Sequence, residues 1–197
     1  MTRRLLLIFL TLGMLCAPAR AAPQELSQIA DYFAAIENLQ ADFLQIGPKG
    51  ETARGVFYYR KPGHMRFSYN PPNGQVVIAG DTWLTIQKQQ GKEANYYPLK
   101  ASPLGRFIAS RERLDKTDYL SSFDVFEGRA VITLMDKDKP RSGRLELMFS
   151  FPQIALLGWR VSDMQQQITQ IHLAQVQQPA SLPNLLFFVD ESETEFD

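Results

Sequence analysis

Two histidines, one cysteine and a scatter of carboxylates are the groups with which this chain could do covalent, metal or acid–base chemistry. Their spacing favours none of these. His64 and His172 fall on separate expected strands, and neither has a Cys, Asp or Glu at metal-ligand spacing. There is no G-x-S-x-G elbow and no glycine-rich phosphate loop. Asp81 and Asp163 stand in or beside turns, where short carboxylates cap backbone groups rather than exchange protons with a substrate. The expectation is a protein that is not an enzyme, with no catalytic residue, no metal and no cofactor. What remains is apolar chemistry. Met65, Phe67 and Tyr69 alternate with Arg66 and Ser68, so one face of their strand is apolar and rich in rings. A concave face of that kind, free of charge chemistry, suits an apolar ligand.

The elements that position this face are short runs of β-branched and aromatic residues between Gly55 and Gln87, cut by Pro62-Gly63, Asn73-Gly74 and Gly80-Asp81. Asn73-Gly74 can adopt the left-handed angles of a tight hairpin turn. Before them, Leu26, Ile29, Phe33, Ile36 and Leu39 recur at spacings of three and four, which predicts a helix from Pro23 to Leu39, packed on its own sheet. Pro23 fits the first turn. From Gln40 the period becomes two: Ala41, Phe43 and Gln45 alternate with Asp42, Leu44 and Ile46. Gly47-Pro48-Lys49-Gly50 then turns the chain into Thr52 to Arg60. Five strands in meander order result, with Asn95-Tyr96-Tyr97 as a sixth.

Between Lys100 and Ser122 the meander is interrupted. Ser102-Pro103 opens a short helix with Leu104, Phe107 and Ile108 on one side, followed by a charged stretch from Arg111 to Asp118 anchored by Leu114, Tyr119 and Leu120. This insertion is either a plug over a concave sheet or a plain connection. Strands resume at Phe123 to Phe126, Arg129 to Met135 and Arg144 to Phe151. A hairpin of Leu156 to Met164 and Ile168 to Val176 follows, joined by Gln165-Gln166-Gln167. Leu185 to Val189 is expected to close the sheet edge, and Glu191 to Asp197 is an acidic tail. The fold class read from this pattern is mainly β (α+β): an incomplete antiparallel barrel of about eleven strands, with an N-terminal helix and a short helical insertion as lid.

At 197 residues, 45% hydrophobic and 21% charged, the chain suits one soluble domain with a core that needs neither metal nor disulfide. Lys+Arg and Asp+Glu are both 21, which argues against a nucleic-acid surface. Arg3 and Arg4, the apolar run from Leu5 to Leu15, and Ala19-Arg20-Ala21 read as a signal peptide over residues 1–21. The run is shorter than the roughly 20 apolar residues that a membrane span needs. Cleavage there leaves one domain, residues 22–197, with 18 basic and 21 acidic residues, a net of about −3. Cys16 follows Leu15, which is not the small residue that a lipidation signal requires. The mature chain then has no cysteine, hence no disulfide framework or thiol catalyst. The compartment that fits is a bacterial periplasm.

Several short motifs occur in a fixed order: Phe43-Leu44-Gln45 after the first helix, Arg60-Lys61-Pro62 with Met65-Arg66-Phe67, and Gly80-Asp81-x-Trp83. Ser102-Pro103-Leu104 and Trp159-x-Val161-x-Asp163 complete the set. Together they resemble the outer-membrane lipoprotein carrier family (LolA), from about Pro23 to Val189. The resemblance implies an incomplete barrel with a helical lid, whose apolar interior shelters the acyl chains of lipoproteins. Its partners would be acylated lipoproteins, an inner-membrane ABC lipoprotein transporter and an outer-membrane acceptor lipoprotein. A monomer is expected. The expected cavity residues are Phe57, Tyr59, Met65, Phe67, Tyr69, Ile78, Trp83, Ile86, Leu104, Phe107, Ile108, Phe149 and Trp159. On the strand of Phe57 and Tyr59, Val56 and Tyr58 could equally point inward. Arg60 and Lys61 are the expected lid-gating residues. The family usually has arginine immediately before the proline; here that position is Lys61, whose ammonium lacks arginine's planar fork of donors. A second function class stays open: a binding protein for another lipid or apolar metabolite, or a cell-envelope structural module.

Overall fold

The computed structural model of the protein describes residues 23–80, 82–88 and 94–188. The expected signal peptide with Cys16, Asp81, Val189 and the acidic tail lie outside the described residues. The chain opens with helix α1 (Gln24–Ala35) and runs through β1 (Asn38–Ile46), β2 (Thr52–Arg60), β3 (His64–Tyr69), β4 (Gln75–Ala79), β5 (Trp83–Lys88) and β6 (Ala94–Pro98). A short 3-10 turn (Leu99–Ala101) leads into helix α2 (Pro103–Ser110). A second meander follows: β7 (Leu120–Phe126), β8 (Arg129–Met135), β9 (Arg144–Ser150), β10 (Ala155–Ser162) and β11 (Ile168–Gln177).

All eleven strands form one antiparallel sheet in the order β6-β5-β4-β3-β2-β1-β11-β10-β9-β8-β7. Two meanders are thus welded where β1 pairs with β11, and the sheet stays open, with β6 and β7 as its edges. The register fixes which side chains face inward. Leu39 stands opposite Tyr59, Ala41 opposite Phe57, and Phe57 opposite Phe67, so these share one face. Strand β10 bends at a bulge between Leu156 and Gly158. Gly158 sits there at φ 140°, and a Cβ on it would lie 2.0 Å from the Ile171 carbonyl oxygen, so only glycine fits. The bend brings Trp159 onto the inner face beside Ile171.

The core fills the concave side. Phe43, Phe57 and Phe67 come from the first meander, and Ile132, Leu145, Leu147 and Phe149 from the second. Leu26, Ile29 and Ala30 of α1 and Phe107 of α2 close over them.

Two expected elements differ. The helix ends at Ala35, not Leu39: Ile36 turns extended, its N–H bonding back to the Phe33 carbonyl at 3.3 Å. Leu39 keeps the helical spacing yet belongs to β1, because the period-two pattern that includes Leu39, Ala41 and Phe43 pairs along β2. Leu185 does not begin a closing strand. Residues Asn184–Phe187 form a 3-10 turn that lies against β3, where Arg66 donates to the Leu186 carbonyl at 3.0 Å. Strand β11 is central, and the edges of the sheet are β6 and β7.

A lidded apolar cavity as the candidate functional site

The inner face of the first meander is a set of interlocked rings. Phe43 meets Tyr69 at 5.0 Å and Phe67 at 5.3 Å, both edge to face. Phe57 lies 4.8 Å from Phe67 and 5.2 Å from Trp159. Each such pair adds about 0.5–1.5 kcal/mol beyond its burial and fixes ring orientation, so the wall keeps its shape. The Tyr69 hydroxyl donates to Gln45 Oε1 at 2.6 Å, and burial pushes its phenol up to about 12. Burial also raises the Tyr59 phenol; Glu37 acts in the same direction, while a hydrogen bond with the Gly63 backbone opposes it.

Above this wall, α1 and α2 leave a cavity of about 50 Å³ lined by Phe33, Ile36, Leu39, Phe57, Tyr59, Met65, Leu104, Phe107, Ile108, Leu147, Leu156 and Trp159. Tyr59 apart, no lining residue carries a polar side chain except for the indole of Trp159. Ligand pockets are usually about 300–1,000 Å³. This one is small because α2 is in it: Phe107 is buried and its ring approaches Phe33 of α1 at 6.2 Å.

Four of the lining residues, Phe33, Tyr59, Phe107 and Ile108, also wall a wider cleft of about 230 Å³. Its remaining rim includes Lys61, Pro62, Gly63, Arg111, Glu112 and Arg113.

Each helix is held locally. Ser102 caps α2 by accepting from the Gly105 N–H at 3.0 Å, with Pro103 in the first turn. Arg106 donates to the carbonyl and hydroxyl of Ser142 at 2.9 and 3.0 Å, tying α2 to the β8–β9 connection. Ile108 touches the β2–β3 turn: a Cβ on Gly63, which has φ 74°, would lie 2.9 Å from Ile108 Cγ2. Lys61 Nζ donates to the Ala34 carbonyl at 2.8 Å and Glu37 Oε1 at 3.0 Å, capping the C-terminal end of α1. Arg113, just beyond α2, reaches Asp31 of α1 at 2.5 Å and Asp115 at 2.6 Å. These partners hold its guanidinium above its ordinary range, the bond to Asp31 first.

Of the expected residues, Phe57, Tyr59, Met65, Leu104, Phe107, Ile108 and Trp159 line the cavity. Phe67 and Tyr69 are part of the wall but lie outside the cavity lining, and Phe149 is wholly buried beneath Tyr32 and Phe33. Ile86 shares the inner face through Val77, two strands beyond Phe67, outside the lining.

Two expectations are corrected. Ile78 pairs with Arg66, so it faces the convex side. Trp83 alternates with Leu84, which pairs with Ala79 on the inner face; Trp83 therefore points outward and is 50% exposed. The gating expectation is corrected in part. Arg60 points away from the lid, donating to Asn184 Oδ1 at 2.5 Å with its guanidinium over the Phe187 ring. Lys61 does hold a helix, but it is α1. Phe33, Ile36, Leu39, Leu147 and Leu156 were missed, because periodicity gives a face but not which part of it lies beside a void. Arg113 was missed because its partner Asp31 is 82 residues away.

Among the described residues no helix is long and apolar enough to cross a membrane. His172 is exposed on β11, and His64 lies 6.0 Å from the Phe187 ring.

No curated protein matches this sequence. Solved structures share the fold. A DUF1329 family protein from Desulfovibrio piger ATCC 29098 superposes with a TM-score of 0.52 at 10% identity, covering 85% of this chain and 96% of that one. A domain described as an outer membrane lipoprotein-sorting protein from Vibrio parahaemolyticus gives 0.50 at 10% identity, over 83% of this chain and 94% of that one. An uncharacterized conserved protein from Thermus thermophilus also gives 0.50 at 10% identity, over 86% and 95%. At such identity the likeness is one of fold alone. The family model for the outer membrane lipoprotein carrier protein LolA matches residues 34–190, a span that takes in every strand and α2, and the chain belongs to that family.

Proposed function

We propose that this protein is a periplasmic carrier that shelters the acyl chains of lipoproteins and moves them from the inner to the outer membrane. It would take cargo from an inner-membrane ABC transporter and pass it to an outer-membrane acceptor lipoprotein. Family membership supports the cargo class. The observation that carries the mechanism is that α2 fills the space between α1 and the aromatic wall, leaving about 50 Å³. An acyl chain can enter only by displacing Leu104, Phe107 and Ile108.

The magnitudes favour exchange over capture. Each methylene taken from water is worth about 0.8 kcal/mol, so a fully buried chain of roughly a dozen approaches 10 kcal/mol. Turning buried Phe107 out to solvent costs about 1.5–3 kcal/mol and half-buried Leu104 and Ile108 less each, which offsets a substantial part of that gain. A carrier needs such a near-balance, because cargo held by the whole hydrophobic term would not be released. Mass spectrometry of gently purified protein tests the reading: a bound triacylated or diacylated lipoprotein is expected, and a different lipid or apolar metabolite in its place would overturn it.

A further inference from the structure

We infer that the cleft beside the cavity is a head-group site, which selects an acyl chain carrying an oxyanion at its end. This rests on the reading that an acyl chain occupies the cavity, and goes beyond the lipoprotein as cargo, whose acyl chains end in neutral esters or amides rather than an oxyanion. Cavity and cleft share Phe33, Tyr59, Phe107 and Ile108, so a chain lying in one ends in the other. The cavity offers the chain almost no polar partner. The cleft offers Lys61, Arg111 and Arg113 against one carboxylate, Glu112.

Lys61 and Arg113 are held by carboxylates that themselves lie outside the cleft lining. Lys61 pairs with Glu37, whose side chain is 67% exposed, and Arg113 pairs with Asp31, which is 69% exposed. Exposed pairs of this kind hold weakly and are screened. Arg113 keeps a second, buried partner in Asp115, 3% exposed, so its guanidinium stays placed when Asp31 lets go. Both carboxylates that would be exchanged sit on or just after α1, the helix that must part from α2 for the cavity to widen. An incoming oxyanion therefore replaces Asp31 and Glu37 as the partner of the two cations, and in doing so loosens α1 from the α2 side. Arginine's fork suits a carboxylate or a phosphate equally, so the shared chemistry is an oxyanion on an acyl or alkyl chain.

The test uses the full mature chain with Trp83→Phe, which leaves Trp159 of the cavity wall as its one tryptophan. Titrations at pH 7.5 with dodecanoate, dodecyl phosphate and dodecanol, below their micelle concentrations, are read by Trp159 fluorescence. The expected result is binding of at least one oxyanion about tenfold tighter than the alcohol, weakening with salt. A preference for dodecanoate points to free fatty acids, and one for dodecyl phosphate to lipid phosphates. Lys61→Gln with Arg113→Gln should erase the preference, bringing the charged chains to the affinity the same variant has for dodecanol, whatever loss of the Asp31 and Glu37 pairs does to that affinity. Lys61→Gln alone, which spares the Arg113 contacts, should reduce it. Equal affinity for charged and neutral chains, or a preference that survives the double substitution in folded protein, overturns the head-group site. No change in Trp159 with any ligand instead overturns the cavity reading on which it rests.

Discussion

The two meanders contribute different inner faces to one sheet. Strands β1–β3 supply rings, Phe43, Phe57, Phe67 and Tyr69, and Phe57 lines the cavity with Tyr59 and Met65. Strands β8–β10 supply mainly aliphatic residues, Ile132, Leu134, Leu145, Leu147 and Leu156, and both helices sit directly on that half. Tyr32 and Phe33 of α1 stand edge-on to Phe149, and α2 contacts β8, β9 and β10. The aliphatic half is a seat for the helices, and the aromatic half is a rigid surface they cover. A wall of edge-to-face rings holds its shape without the lid, whereas branched aliphatic side chains interdigitate with whatever lies over them.

The largest expected effect of breaking this comparison is on the seat. Phe149 has no exposure and supports two rings of α1. Phe149→Ala should cost about 3–5 kcal/mol in chemical denaturation. Phe107→Ala, which removes the plug beside an existing void, should cost less and strengthen binding of an apolar probe. If the two lose equal stability with no gain in binding, seat and plug are not distinct.

Next in size is the wall. Met65→Glu puts a carboxylate against the cavity, a burial costing several kcal/mol unless the group stays wet. Lipoprotein release from inner-membrane vesicles should fail with this variant. Ser68→Glu lies on the convex face beside Arg66, whose Nε already donates to Ser68 Oγ at 2.8 Å, and release should continue. Normal release by the Met65 variant would remove this face from the site.

Smaller still is a pH effect confined to the aromatic half. Tyr69 is pushed up to about 12 by burial, against an ordinary 10.0. The folded state therefore holds this proton more tightly than the unfolded chain. Its stabilising effect is whole below pH 10 and is lost as pH rises towards 12, by about 2 kcal/mol. Thermal melts between pH 8 and 12 should show that loss, and Tyr69→Phe should reduce it, leaving the part that belongs to Tyr59, whose phenol burial also raises. An unchanged alkaline slope in the variant would assign the loss elsewhere.

Much of this was legible in the sequence because a period of two with frequent turn residues is a local signal. The eleven strands, the α2 cap at Ser102-Pro103, and the shared face of Met65, Phe67 and Tyr69 were all readable in this way. Asp163 caps the turn it was expected to serve, accepting from the N–H groups of Gln165 and Gln167. The convex placement of Ile78 was not legible, because that side is also apolar where residues Asn184–Phe187 cover β3, and hydrophobicity does not say which face is which. Trp83 and Ile86 stand three apart on one strand, so alternation admits only one of them to the inner face; which one was not legible, because both faces carry large apolar residues there. The Arg113 clasp joins segments far apart in the chain, and no pattern within either segment announces it.

In the closed protein α2 occupies the place of the cargo. Hydrogen exchange of the amides of residues 104–110, in protein with an empty and then a filled cavity, reads this out. Exchange in α2 should become faster on filling, with β8 and β9 unchanged. Exchange in α2 that stays the same or slows when the cavity is filled would contradict it.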